Sequence, residues 1–311
     1  MFQLYKVRNF NALINDTFIF FKVSGKNYFK NYFIINGPLL LILAVVCFVM
    51  VKVFFENIFS GTVDTDPSAM IENYFSENSG LIIALAILTG IVGLLAVMIN
   101  YSYPVIYMKL SENNEKPDTR QLMKAIFGKM GKIILFGLCT LITFVPIAIM
   151  VGVFAILMVV IIIGIPVAII LFAAYACWMY LTFYDYITTD NGYFTSMGNG
   201  WNMLFKSFWA HMGSTAIFFA MLYVFQMLVM IVSFIIQALT GLMSTVDTNP
   251  EGALETMSVF MIAGFVIQTI ISFITGNLLV VNQGIIYYSC REEDENHSLN
   301  NEIDLIGSNV E

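Results

Sequence analysis

The chain has 311 residues, of which 59% are hydrophobic and 11% charged, with a formal net charge of −7 and four cysteines. A soluble domain carries roughly a quarter charged residues, and one charge at the centre of a membrane-spanning helix costs about 2.5–3.5 kcal/mol on insertion scales. This composition excludes an ordinary soluble globule and predicts an all-α integral membrane helical bundle whose charges gather into a few short clusters.

Residues 1–30 interleave aromatics with lysines: Phe18, Phe20, Phe21, Lys22, Lys26, Tyr28, Phe29 and Lys30. Lys22, Lys26 and Lys30 are four apart and share one helix face. Aromatic rings favour the headgroup zone and lysines favour anionic lipid, so the segment reads as a cytoplasmic amphipathic helix in the inner interface. A helix that caps the bundle from below, without touching lipid, is the alternative. The segment lacks the short basic start and apolar core of a cleavable signal peptide, so span one reads as a retained targeting signal.

Charge-free stretches follow at Asn31–Val51, Asn78–Met108, Gly213–Val246 and Thr256–Cys290, each long enough for one span. Between Lys132 and Asp185 lie 52 uncharged residues, roughly 78 Å as a helix against a hydrocarbon core of about 30 Å, and hence two spans. Gly164-Ile-Pro166 is the strongest punctuation within it, because proline suits the first turn of a helix. The predicted spans are about 33–55, 80–106, 133–160, 164–184, 214–240 and 257–288, arranged as three hairpins. Runs such as Ile156–Ile163 are apolar on every side, which rejects the alternating pattern of a β-barrel.

Six spans place 13 of the 14 Lys and Arg residues on one side, and the opposite loops at 56–79 and 241–256 hold carboxylates and no Lys or Arg. The positive-inside rule then puts both termini in the cytoplasm, with Lys52 snorkelling at the outer end of span one. The tail 290–311, with Glu292-Glu-Asp-Glu295, reads as a solvated acidic segment. Cys47, Cys139, Cys177 and Cys290 fall in spans or at a cytoplasmic end, where they read as small packing residues and not as disulfides.

A unit of interfacial helix, span, turn, span and aromatic exit recurs three times. Lys124, Phe127, Lys129 and Lys132 precede span three, and Trp201, Phe205, Lys206, Phe208, Trp209 and His211 precede span five. Spans two, four and six leave through Tyr101-Ser-Tyr-Pro104 to Tyr107, Phe183-Tyr-Asp-Tyr186 and Ile285-Ile-Tyr-Tyr288.

Motifs for chemistry fail. Gly198-Asn-Gly200 has no preceding strand and no third glycine, so it is no dinucleotide fingerprint. The two histidines, His211 and His297, sit far apart in the predicted topology, and no metal or cofactor is expected. No ionisable residue lies at mid-span; Asp185 comes nearest, at the end of span four, which disfavours ion-coupled transport. The amides Asn36, Asn100, Gln226, Gln237, Gln268, Asn277 and Asn282 read as hydrogen-bonding glue between helices. Asp185 and Asp190 near His211 are the sole acid–base candidates and lack an evident nucleophile.

Gly164-Ile-Pro166, Phe183-Tyr-Asp185, Asn191-Gly-Tyr193 and Gly200-Trp-Asn-Met-Leu-Phe-Lys-Ser-Phe-Trp209 resemble an uncharacterised multi-pass family. It includes the membrane domain attached to some glycerophosphodiester phosphodiesterases and stand-alone bacterial six-span relatives. The resemblance covers about 45 residues and implies a bacterial inner (cytoplasmic) membrane protein. The chain lacks a soluble phosphodiesterase domain, so no hydrolase activity carries over. Its start and close also resemble bacterial proteins labelled carotenoid monooxygenases, but two histidines and no propeller strands make that activity untenable.

The sequence therefore predicts a non-enzymatic protein that organises lipids or partner proteins at the cytoplasmic face. The alternative is a transporter or lipid-handling protein with a groove between the three hairpins. The expected contacts with anionic headgroups are Lys22, Lys26, Lys30, Lys129, Lys132, Trp201, Lys206 and Trp209. The expected partners are membrane lipids and an unidentified membrane protein, with no nucleic acid.

Overall fold

A computed structural model of the chain describes residues 2–59, 67–112, 116–160, 164–244 and 250–296, with side chains described outside 51–78, 159–163 and 240–258. Among these residues are eight α-helices and no strand. They are α1 (Phe10–Phe59), α2 (Pro67–Leu110), α3 (Thr119–Gly128), α4 (Met130–Val160), α5 (Ile165–Thr188), α6 (Tyr193–Lys206), α7 (Phe208–Ser244) and α8 (Pro250–Glu295). Six of them, α1, α2, α4, α5, α7 and α8, are long and apolar enough to cross a bilayer. The protein is an all-α, multi-pass membrane protein. Lys52, the side chains of the outer-loop carboxylates, and the tail past Asn296 with His297 lie outside the described residues.

Helix boundaries follow local chemistry. Asp118 caps α3 and closes a capping box with Gln121, which satisfies two amide groups that the helix start leaves free. Gly164 is the N-cap of α5, and Pro166 sits in its first turn, where a missing N–H costs nothing. The interfacial segment at 10–30 and the first span are one unbroken helix, α1, whereas the segments before spans three and five are the separate helices α3 and α6. The acidic run Glu292–Glu295 forms the last turn of α8, closed by Asn296 in the left-handed region at φ 49°.

Two compact units divide the chain: residues 1–35, 98–221 and 276–311 form one, and 36–97 with 222–275 the other. In the first unit, residues 102–108, 180–188 and 279–290 are buried along their whole length. These are the aromatic exits of spans two, four and six, and they pack against one another rather than facing outward. Tyr184 stacks on Tyr287 with centroids 5.5 Å apart, and its hydroxyl donates to the Val280 carbonyl at 2.9 Å. Gly284 is where α8 passes closest, since a Cβ there would collide with the Tyr184 hydroxyl and the Met108 sulfur.

Tyr28, Tyr32, Tyr103 and Tyr107 build the neighbouring core with their rings 4.9–6.0 Å apart. Their hydroxyls are all used. Tyr28 donates to Asn277 Oδ1 at 2.6 Å, Tyr32 to Asn100 Oδ1 at 2.7 Å, Tyr103 to the Tyr28 carbonyl at 2.6 Å and Tyr107 to Asn27 Oδ1 at 2.9 Å. Asn282 donates to both Thr17 Oγ1 and Ser214 Oγ at 3.0 Å. A buried polar group without a partner costs roughly 1–3 kcal/mol, so these amides order the helix ends as well as filling space.

The N-terminal strap is pinned by one guanidinium. Buried Arg8 pairs with Asp16 at 2.8 Å and donates to the carbonyls of Gln3, Leu4 and Lys6 at 2.6–3.0 Å. Tyr5 packs edge-on to Tyr288 at 5.1 Å, and both hydroxyls reach Glu112 Oε1, at 3.2 and 2.9 Å.

The second unit carries no charged residue among its described side chains. Leu43, Val92 and Ala96 form its buried cluster, with Leu39, Cys47 and Phe273 packed against it. In the part of α7 that belongs to this unit, only Leu222, Gln226, Val229, Ser233 and Gln237 are half-buried; the other described side chains are exposed. That single stripe, on a helix apolar all round, suits an element whose remaining surface meets lipid.

Tyr28→Phe removes one buried hydrogen bond, from the Tyr28 hydroxyl to Asn277 Oδ1, and it is expected to destabilise the protein by about 0.5–1.5 kcal/mol. Thermal unfolding in detergent, followed by circular dichroism, measures this; an unchanged midpoint would show that the hydroxyl is dispensable.

Candidate functional site

The charged end of the first unit gathers Lys129, Lys132 and Lys206, which sequence reasoning singled out, against backbone carbonyls. Lys129 Nζ donates to the Ile187 carbonyl, and Lys132 Nζ donates to the Thr189 carbonyl at 3.1 Å while pairing with Asp190 at 3.6 Å. Both ammonium groups thus sit on the unsatisfied carbonyls at the C-terminus of α5, where the helix dipole is negative. Burial, with Lys132 and Lys109 close by, pulls Lys129 below the ordinary lysine range. Lys206 bonds near the end of α8: it donates to the Cys290 carbonyl at 3.2 Å, five residues before the helix ends, and pairs with Asp294.

Lys22, Lys26 and Lys30 differ. All three are exposed and pair with no carboxylate among the described residues. They continue a row of exposed side chains at four-residue spacing, Phe18–Lys22–Lys26–Lys30–Ile34. The helix therefore presents three cations bracketed by two apolar groups.

Helix α6 adds an aromatic stripe. Its inner face, Tyr193, Ser196, Gly200, Met203 and Leu204, is buried, and Gly200 lets the helix press on α5, where a Cβ would meet Thr182 Oγ1 at 2.6 Å. Its outer face exposes Phe194, Trp201 and Phe205, and Trp209 follows at 70% exposure. Trp201 packs edge-on to Trp178 at 4.9 Å, and Trp178 Nε1 donates to the Met197 carbonyl at 3.0 Å. Trp201 is thus held in place as well as exposed.

A polar chamber of about 260 Å³ lies where the α5–α6 turn meets the end of α8. Asp185 lines it at 3% exposure, and its Oδ2 accepts from Asn191 Nδ2 at 3.0 Å and Asn199 Nδ2 at 3.1 Å. Thr189, Asn202, Lys206 and Arg291 complete much of the wall. Arg291 grips Glu295 with two bonds of 2.9 and 2.6 Å and reaches the Tyr287 hydroxyl at 3.3 Å. Sequence reading marked Asp185 but not the two asparagines that hold it. They lie 6 and 14 residues further on, across a turn that no linear spacing rule covers.

His211 has a partner the sequence did not reveal. Its Nε2 lies 3.8 Å from Cys290 Sγ, with His211 at 3% and Cys290 at 1% exposure. At that burial a substrate has no path to the sulfur in this conformation, so the pair is a packing contact. Asp190 points away, exposed and paired with Lys132. Among the described residues no three His, Cys, Asp or Glu side chains gather to hold a metal.

The second unit holds an open groove of about 720 Å³ between α7 and α8, lined by Met230, Phe234, Gln237, Met261, Gly264 and Gln268 among others. The Gln268 amide donates to Gln226 Oε1, and its own Oε1 is buried with no partner among the described residues.

The residues carrying the family resemblance lie in α5, the turn after it, α6 and the start of α7, so they contribute part of the chamber wall and the aromatic stripe. No family model, curated protein or solved structure matches the chain.

Lys129→Leu and Lys132→Leu each remove a cap from the end of α5 and are expected to cost about 0.5–1.5 kcal/mol without changing lipid association. Unfolding midpoints and lipid retention, measured on the same preparations, check both halves; lost lipid with unchanged stability would reverse the assignment.

Proposed function

We propose that the protein is a non-enzymatic membrane component that organises anionic lipid at its charged, cytoplasmic face. The exposed row Phe18–Lys22–Lys26–Lys30–Ile34 carries this reading. Lys129, Lys132 and Lys206 bond backbone carbonyls, whereas Lys22, Lys26 and Lys30 pair with no carboxylate among the described residues. A row of cations flanked by apolar groups suits the boundary where headgroup phosphates meet acyl chains. The aromatic stripe of α6 supports it, since exposed Trp and Phe side chains fix depth at an interface. Residence in a bacterial inner membrane, and kinship with the membrane domains of the phosphodiesterase family, belong to the same proposal.

Each lysine near an anionic surface contributes about 1 kcal/mol. Replacing Lys22, Lys26 and Lys30 together with Gln is therefore expected to lower the preference for phosphatidylglycerol over phosphatidylcholine on the order of a hundredfold at low salt. The wild-type preference itself should weaken as salt rises. Spin-labelled lipids in mixed nanodiscs measure the preference, and an unaltered ratio in the triple variant would refute the proposal.

A second reading, a lipid-handling protein, is favoured by the α7–α8 groove with its unpartnered Gln268 carbonyl. Water cannot satisfy such a group inside hydrocarbon, whereas a lipid hydroxyl can. A photoreactive diacylglycerol is expected to label 230–237 and 261–268 more heavily than the exposed Leu141 and Ile149 of α4, and Gly264→Trp is expected to suppress that excess. Uniform labelling of all exposed apolar surfaces would remove this reading.

A further inference from the structure

We infer that the chamber below the α5–α6 turn binds a primary alkylammonium group, with Asp185 as its counter-ion. The site is separate from the lysine row of α1, and the inference does not depend on that row.

Charge counting in the chamber wall leads to the ligand. Lys206 pairs with Asp294 and Arg291 with Glu295, so those four charges cancel two by two. Asp185 remains. It pairs with no Lys or Arg among the described residues, though it is 3% exposed. Leaving a carboxylate out of water without a counter-charge is unfavourable.

The two amide donors, from Asn191 and Asn199, both land on Oδ2. Oδ1 has no protein partner among the described residues, yet it is not sealed inside the protein, so it opens on the chamber. A nine-tenths-buried carboxylate therefore directs one bare oxygen into a cavity that is otherwise neutral.

The remaining lining selects the kind of cation. The chamber lining also includes oxygen-bearing side chains, those of Thr189, Asn199 and Asn202. An ammonium with three N–H donors matches several oxygens at once. A quaternary ammonium has no such donors and is held by aromatic faces, and no aromatic side chain lines this chamber. A hard divalent ion needs a fuller cage of carboxylate and carbonyl oxygens, and no cluster of three acidic, His or Cys ligands is present among the described residues. At about 260 Å³ the space suits a headgroup-sized fragment rather than a larger molecule.

Two sources supply this chemistry: the ethanolamine headgroup of a phospholipid and a free small amine.

The test uses the full chain in phosphatidylglycerol nanodiscs, followed by native mass spectrometry. The probes are short-chain phosphatidylethanolamine, its phosphatidylcholine counterpart and free ethanolamine. Wild type is expected to retain an ethanolamine-bearing probe at least tenfold better than the choline lipid. Asp185→Asn keeps a side-chain oxygen for the two asparagines but removes the charge, and it is expected to bring retention down to the choline level. Asn202→Leu leaves Asp185 and its donors untouched while replacing a polar group of the chamber wall with an apolar one, and it is expected to lower retention as well, which keeps the inference testable should the first variant fail to fold. Retention of the lipid alone assigns the headgroup, and retention or competition by free ethanolamine assigns a soluble amine. Equal retention of ethanolamine and choline lipids by wild type, undiminished retention in either folded variant, or no retention of any amine would overturn the inference.

Discussion

Everything in the first unit depends on one constraint: helix ends that are buried must have their carbonyls, amides and hydroxyls satisfied from within the protein. Residues 102–108, 180–188 and 279–290 are buried together, and many of the polar groups there are met by tyrosine hydroxyls, asparagine amides and lysine ammonium groups, with Gln283 Oε1 an exception among the described residues. Because apolar side chains gain little by leaving lipid for protein, hydrogen bonds and close packing must supply the specificity of such a bundle. Gly200 and Gly284 supply the close packing, by letting α6 press on α5 and α8 pass Tyr184 and Met108. The same constraint separates the lysines into two kinds, those that complete the fold and those that face outward.

Much of the architecture was legible in the sequence because membrane insertion penalises charge so heavily. The charge-free stretches marked the six apolar helices, and Gly164 and Pro166 marked where α5 begins. The threefold grammar of amphipathic segment, span and aromatic exit was visible too. What it hid was the direction in which the exits face. Aromatic residues at a span's end read equally well as an interfacial belt or as a shared core, and only the packing of Tyr184 on Tyr287, and of Tyr28 with Tyr103 and Tyr107, separates the two.

The candidate site was less legible, for a physical reason. Sequence spacing shows which side chains share a helix face, and this sufficed for Lys22, Lys26 and Lys30, which need nothing beyond their own helix. Lys129, Lys132 and Lys206 act across 58, 57 and 84 residues of chain, and their targets are backbone carbonyls, which no sequence pattern displays. Likewise Cys290 meets His211, and Asn199 meets Asp185, through tertiary packing alone.

The lysine caps also bear on how the protein is made. In each of these three bonds the donor precedes the acceptor along the chain: Lys129 and Lys132 are synthesised before the end of α5, and Lys206 before the end of α8. Chains entering the membrane fold from the N-terminus onward, so each late helix end reaches a surface already carrying its cation. A hairpin that inserts early need not wait for residues still inside the ribosome to neutralise its exposed carbonyls. For these three bonds the order of the sequence is thus an order of assembly, in which each helix end finds its latch already in place.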